Sequence, residues 1–209
     1  MEAAMTPVLI PPDSKPPSDV PDVPIYRLTV AQYHDMLRRD PTSDREPVEL
    51  LEGLLVPKMG EDAIHAAAVE VTRDLLAAIL PAGWIARGPH PVTTEDSEPE
   101  PDVTVARGTQ RDYFKRHPTP ADAALVIEVA NSSVRIDRGI KQRVYAAAGV
   151  PVYWILVLQA RFVEVYTAPT GIGINAAYGP PTRYADGDSV PVVIDGREVG
   201  TIAVADLLP

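Results

Sequence analysis

Three residues in this chain have the types and the spacing to work together on a phosphate. Asp102 follows Pro101 and opens a short apolar run, Val103 to Ala106. Glu128 interrupts a second apolar run, Ala124 to Val129, and Lys141 follows thirteen residues later in a helix-like segment. An ionised carboxylate inside a buried strand is costly unless a cation, a metal or a hydrogen-bond network compensates it. Two carboxylates are hard oxygen donors of the kind Mg²⁺ takes while keeping room for water and a substrate phosphate. Such an ion polarises the phosphate and acidifies a water, and a nearby Lys stabilises the negative charge that develops. The chemistry this trio suits is phosphodiester hydrolysis. Spacing alone is not selective, because two acids and a Lys can be picked from most chains. A structural pair of Glu128 with Arg138 or Lys141 fits the same residues. Asp137 is expected to cap the helix rather than to act as a ligand.

The elements that must position these residues follow from periodicity. Ala124 to Leu158 reads as strand, helix, strand, with the second apolar run at Val152 to Leu158. Upstream, Thr29 is placed to cap a helix over Val30 to Arg39, with Tyr33, Met36 and Leu37 on one side. Val48 to Lys58 predicts a hairpin turning at Glu52-Gly53. Asp62 caps a helix to about Ile79 whose apolar face includes Ala66, Val69, Leu76 and Ile79. A strand is expected from Trp84 to Val92, a loop from Glu95 to Asp102, and a surface loop with one helical turn from Thr109 to Ala121. Phe162 to Thr167 alternates as a strand, and Thr170 to Asp188 is expected to be a loose loop. Val190 to Ile194 and Glu198 to Ile202 form a hairpin around Asp195-Gly196, before a short helix at Val204 to Leu208. Residues 1–25 are rich in Pro, Asp and Ser and are expected to be an extended or disordered arm. The whole predicts one mixed α/β (α+β) domain over residues 26–209.

Composition bounds the function. The chain has 209 residues and no cysteine, which excludes disulfides and thiolate metal sites. No apolar run approaches the roughly 20 residues that span a bilayer, and the first residues lack the basic flank of a signal peptide. A cytoplasmic protein without a membrane partner is therefore expected. The formal charge of −10 disfavours a non-specific coat on nucleic acid. Distribution qualifies that sum: between Asp102 and Tyr145 there are eight Lys or Arg against five acids. This locally basic window can face phosphate, or can be only the solvated surface of loops and a helix.

The order Pro101-Asp102-Val103, then Leu125 to Val129 (LVIEV), then Asp137-Arg138-Gly139 with Lys141, then Tyr145, Gly149-Val150-Pro151 and Tyr153-Trp154-Ile155 resembles the Uma-two family of restriction-endonuclease-like proteins. That family falls within the PD-(D/E)XK nuclease superfamily. Glu49, Gly53, Met59 and His65 are similar to the family's N-terminal motif, so the resemblance runs from about Tyr26 to the C-terminus. It implies a restriction-endonuclease-like core: a mixed central β-sheet flanked by helices, here with additional C-terminal strands. It also implies Asp102 and Glu128 as metal ligands, the Val129 carbonyl as a third, Glu49 as an acid from the N-terminal part, and His65 as a site-lining residue. The superfamily's usual Lys, two places after the Glu, is replaced by Ala130, and the resemblance implies that Lys141 takes its role. Other departures are Asn131-Ser132-Ser133-Val134 where the family has SPST, Leu54 for its usual Glu, and Leu156-Val157-Leu158 after YWI. None removes Asp102, Glu128 or Lys141.

The expected activity is Mg²⁺-dependent endonucleolytic hydrolysis of DNA, with Mn²⁺ as a substitute ion. The alternative is a catalytically silent nucleic-acid-binding or scaffold protein that keeps the fold. A weaker one is a hydrolase of small phosphoesters. Duplex cleavage favours a homodimer, with the tract Tyr153 to Leu158 and the C-terminal strands as candidate contacts, although core burial is the simpler use of that tract.

Overall fold

The computed structural model describes residues 25–39, 47–58, 60 and 62–209. The expected arm over residues 1–25 and the loop Asp40 to Pro47 fall almost entirely outside these residues, as does Met59. Two hydrophobic layers enclose one six-stranded sheet. Its order is β3 (Trp84–Arg87), β4 (Val103–Arg107), β5 (Ala123–Ala130), β6 (Val152–Val157), β7 (Phe162–Thr167) and β8 (Thr182–Ala185). All neighbours are antiparallel except β5 and β6, which are parallel. A parallel pair needs a crossover. Here it is helical throughout: α3 (Val134–Ile136), a π-helical turn (Asp137–Lys141) and α4 (Gln142–Ala147). Two hairpins stand apart from the sheet, β1 (Val48–Leu51) with β2 (Leu54–Pro57), and β9 (Ser189–Ile194) with β10 (Arg197–Ala203).

Alternation along β5 assigns the layers. Leu125, Ile127 and Val129 face one core, which α2 (Ala63–Ile79) covers through Ala68, Val69 and Leu76. The β9–β10 hairpin and α5 (Val204–Leu207) complete it with Val192, Ile202 and Leu207. Val126 and Ala130 face the other core, built from Tyr145 and Ala146 of α4 together with Tyr153, Tyr166 and Tyr178. Because side chains alternate with period two, Glu128 falls on this second, tyrosine-rich face. All eight residues of β5 are buried, as expected for a central strand covered on both sides.

Local chemistry explains the hairpins and caps. Glu52 and Gly53 both have positive φ, the requirement of the tight two-residue turn. A Cβ on Gly53 would sit 2.6 Å from the Arg27 Cβ, so only glycine fits. The Asp62 carboxylate accepts the His65 backbone N–H (2.8 Å) and caps α2. The remaining expected elements form with small shifts, including the turn at Gln110–Tyr113.

Four expectations are corrected. β3 stops at Arg87 because Gly88 and Pro89 break the run. The segment expected to be a loose loop contains the edge strand β8, whose side chains are mostly exposed and so carry no apolar alternation. On α1 (Val30–Arg39) only Tyr33 is buried, and Ala66 of α2 is exposed. Tyr153 to Leu158 is core, so it offers no surface to a second copy. The Leu76 side chain, fully buried between α2 and the sheet, is expected to lose about 2–5 kcal/mol of stability on Leu76→Ala. Urea titration reads this as a lower midpoint, while Ile64→Ala on the exposed side of α2 stays within about 0.5 kcal/mol of wild type.

Candidate active site

One cleft, enclosing about 100 Å³, opens where the ends of β4 and β5 meet the crossover helix and the β1–β2 hairpin. Asp102, Glu128, Val129 and Lys141 line it, as do Glu49 and His65. These are the six residues expected to form the site, and the structure places them along one cleft. Glu49 reaches the cleft from β1, which is clamped to the segment after Thr94: the Glu98 N–H donates to the Leu50 carbonyl (2.7 Å). The Glu100 N–H donates to Glu49 Oε2 (3.0 Å), fixing that carboxylate. The ion pair of Lys58 with Glu100 lies at the cleft wall.

Asp102 is set by backbone. Its Oδ2 accepts the Val129 N–H at 2.6 Å and lies 3.3 Å from His65 Nε2. Among the described residues its hydrogen bonds all go to Oδ2, which leaves Oδ1 available to a ligand. Gly88 makes this packing feasible, since a Cβ there would lie 1.9 Å from the Asp102 carbonyl oxygen. Glu128 is held from two sides. The Tyr145 hydroxyl donates to Oε1 (2.7 Å) and Lys141 Nζ donates to Oε2 (3.1 Å). Each carboxylate oxygen has two lone pairs, so one remains on each. Lys141 Nζ also lies 3.4 Å from Glu49 Oε1. The sequence left Arg138 and Lys141 as alternative partners of Glu128; it is Lys141. Arg138 instead pairs with Glu164 of β7 at 2.7 and 3.0 Å, where Arg183 and Tyr166 also donate.

Two contributors were not foreseen. Asp137 does not cap the helix. The helix starts at Val134, a turn earlier, so Asp137 lies inside it, 1% exposed, with its Oδ2 accepting from Ser133 Oγ at 2.5 Å. Tyr145 is the second. Asp137, Lys141 and Tyr145 are spaced i, i+4, i+8, which puts them on one helix face, and that spacing was the available signal. The π turn between the first two is anchored at the Asp137 carbonyl, which accepts both the Gln142 N–H and the Tyr153 hydroxyl (3.0 Å). Such turns concentrate at functional sites.

Electrostatics follow from burial. Glu128 is raised well above the ordinary carboxylate range by desolvation, opposed by Lys141 and reinforced by Asp102, Asp137 and Glu49. Desolvation also raises Glu49, again against the pull of Lys141. Asp137 is pushed up to about 6 by the same cause. Lys141 loses hydration too, but the surrounding carboxylates, Glu128 first, outweigh that loss and hold it protonated. Four acids crowd one buried ammonium, and a further cation would favour their ionised forms. Among the described residues no set of three or more His, Asp or Glu side chains forms a ready cage for a metal. Two carboxylates and a carbonyl are instead the sparse, hard donor set of an ion that retains water, such as Mg²⁺. The residues present fit such an ion.

The family model described as "Uma2: Putative restriction endonuclease" matches residues 30–198. The chain belongs to the Uma2 family. Comparison with curated proteins gives no match. Among solved structures, the fold is similar to the crystal structure of a putative nuclease belonging to DUF820 from Anabaena variabilis ATCC 29413. The TM-score is 0.58 at 14% identity, covering 86% of this chain and 97% of that one. In this Uma2 chain the central mixed sheet and its additional strands follow the expected nuclease-like architecture. Among the described residues no helix is long and apolar enough to cross a membrane.

The raised Asp137 pKa sets a pH dependence. The folded state holds this proton more tightly than the unfolded chain, so the contribution to stability is present below pH 4 and lost as pH rises through about 6. At neutral pH the buried, ionised group is a cost. Asp137→Asn is therefore expected to stabilise the fold at pH 7.5 by about 1–3 kcal/mol, with the gain vanishing at pH 4. Thermal melts of the two proteins at both pH values measure it.

Proposed function

We propose that this protein is a divalent-metal-dependent endonuclease that hydrolyses phosphodiester bonds of DNA. The observation that carries it is the convergence of Asp102, Glu128 and Lys141 on one buried cleft at the end of β5, within a chain of the Uma2 family. Asp102 and Glu128, with the Val129 carbonyl, would hold Mg²⁺, and Mn²⁺ suits the same oxygens. Bound there, the ion supplies Lewis-acid polarisation of the phosphate and acidifies water.

The side chains divide the remaining work. Val129 N–H orients Asp102 with Oδ1 toward the ligand, and Tyr145 orients Glu128. Hydrolysis forms a bond from water oxygen to phosphorus as the bond from phosphorus to the leaving sugar oxygen breaks. Negative charge then grows on the phosphoryl oxygens, and Lys141 is the cation placed to meet it. Glu49, fixed by the Glu100 N–H, steadies the ammonium from the other side. His65 lines the site beside Asp102. For duplex DNA a homodimer belongs to the same proposal, since two antiparallel strands present two sites related by a two-fold axis. A cytoplasmic location also belongs to it.

One observation favours a second function, a catalytically silent nucleic-acid-binding or scaffold protein. Lys141 already closes on Glu128 and Glu49, so the cluster can stand as a structural ion pair. Plasmid cleavage with Mg²⁺ or Mn²⁺ separates the two. For an endonuclease, Glu128→Gln is expected to abolish cleavage by orders of magnitude with folding intact. Lys141→Ala is expected to lower turnover about 100-fold with a smaller effect on metal affinity. A silent protein predicts no metal-dependent cleavage by wild type. A structural pair predicts that both changes destabilise the fold and couple in a double-mutant cycle. Wild-type protein inactive on single-stranded, duplex and branched DNA rejects the endonuclease.

A further inference from the structure

A second concavity, of about 530 Å³, lies between α1 and the loop that carries Tyr113 to Thr119. That volume is in the range of ligand-sized sites. Its lining holds Arg38 from one wall and Lys115 and Arg116 from the other, with His34 and His117 beside them and no carboxylate; burial pushes the His117 pKa down, so it adds no charge at neutral pH.

The acids that partner these bases stand outside the lining. His34 bonds Glu98 (2.9 and 2.8 Å), Arg38 pairs with Asp35, and Arg116 pairs with Asp122 at 2.5 Å. Lys115 forms no ion pair among the described residues. The loop is built to hold its shape. Thr109 N–H and Oγ1 both donate to Asp112 Oδ2, and Tyr113 donates to the Arg107 carbonyl at 2.5 Å. Arg87, only 8% exposed, lies 4.4 Å over the Tyr113 ring, with Arg116 at 5.2 Å from it. Arg87 Nε is buried without a hydrogen-bond partner among the described residues. On this rigid base Phe114 projects with 75% of its surface exposed.

A lone exposed aromatic is ordinary. An exposed aromatic next to a Lys that has no ion pair among the described residues, both lining one pocket, is what an unpaired base and its phosphate require. The pocket is also close to the cleft. Pro89 lines the cleft and Thr93 lines the pocket, and four residues of extended chain span at most about 14 Å. One strand of nucleic acid is long enough to reach from one to the other.

We propose that this pocket is a flanking subsite for a single-stranded stretch of nucleic acid, with a base stacked on Phe114 and a phosphate held by Lys115. It rests on the nuclease assignment for the neighbouring cleft but draws on different residues. The test is fluorescence anisotropy of a labelled oligo-dT on the full chain with Ca²⁺, at several salt concentrations. Phe114→Ala is expected to weaken binding about fivefold or more. Lys115→Glu is expected to weaken it about tenfold and to flatten the salt dependence by about one phosphate contact. Both side chains are exposed, and thermal melts should match wild type. Hydrolysis of bis(p-nitrophenyl) phosphate with Mn²⁺, which needs only the cleft, should be unchanged by either substitution. Oligo-dT binding equal to wild type in both variants, or no binding by wild type, overturns the subsite. An equal loss on a blunt duplex overturns the stacked base. Loss of hydrolysis in wild type with the variant effects intact removes the nuclease assignment and leaves the subsite standing.

Discussion

A single buried ammonium governs the centre of this molecule. Lys141 Nζ sits between Glu128 and Glu49, with Asp102 and Asp137 lining the same cleft. An ammonium this deeply buried is costly unless carboxylates compensate it, and here two do so directly. The surrounding structure serves that constraint. The parallel pairing of β5 with β6 forces a crossover, and the crossover helix delivers the cation to the face on which alternation places Glu128. Val129 N–H, the Glu100 N–H and the Tyr145 hydroxyl then consume lone pairs that would otherwise be unsatisfied.

The tyrosine-rich face fits the same logic. Tyr145, Tyr153, Tyr166 and Tyr178 have neighbouring ring centroids 5.0 to 6.2 Å apart. Rings of this kind fill a core and still present a hydroxyl to a polar group. Three of the four hydroxyls meet a polar atom of the site helix or a buried glutamate: Glu128, the Asp137 carbonyl and Glu164. An aliphatic core in their place would take from Glu128 Oε1 its hydroxyl donor.

Much of this was legible in the sequence. A lone acid inside LVIEV marks a compensated charge, and period-two and 3.6 patterns place the strands and helices that bear Asp102, Glu128 and Lys141. The family resemblance supplied Glu49 and His65, which spacing could not. What escaped did so for physical reasons. Asp137 has the composition of a cap, and only the position of the first helical turn shows it to be interior. Glu164 reads as an ordinary polar residue of an alternating strand, yet it is 1% exposed because Arg138 and Arg183 reach it from elements distant in sequence. β8 lies at a sheet edge, where solvent erases the apolar signal.

The two cores close at different times in the life of the chain. Every residue of the cleft precedes Gln142, and the tyrosine layer is complete by Tyr178. The opposite layer needs Val190 to Leu208. On the ribosome, where synthesis runs from the N-terminus, α2 alone covers this face of the sheet until β9, β10 and α5 emerge. The chain therefore carries every cleft-lining residue on a half-covered sheet while β9, β10 and α5 are being made. Apolar surface left open in that interval is prone to misassembly.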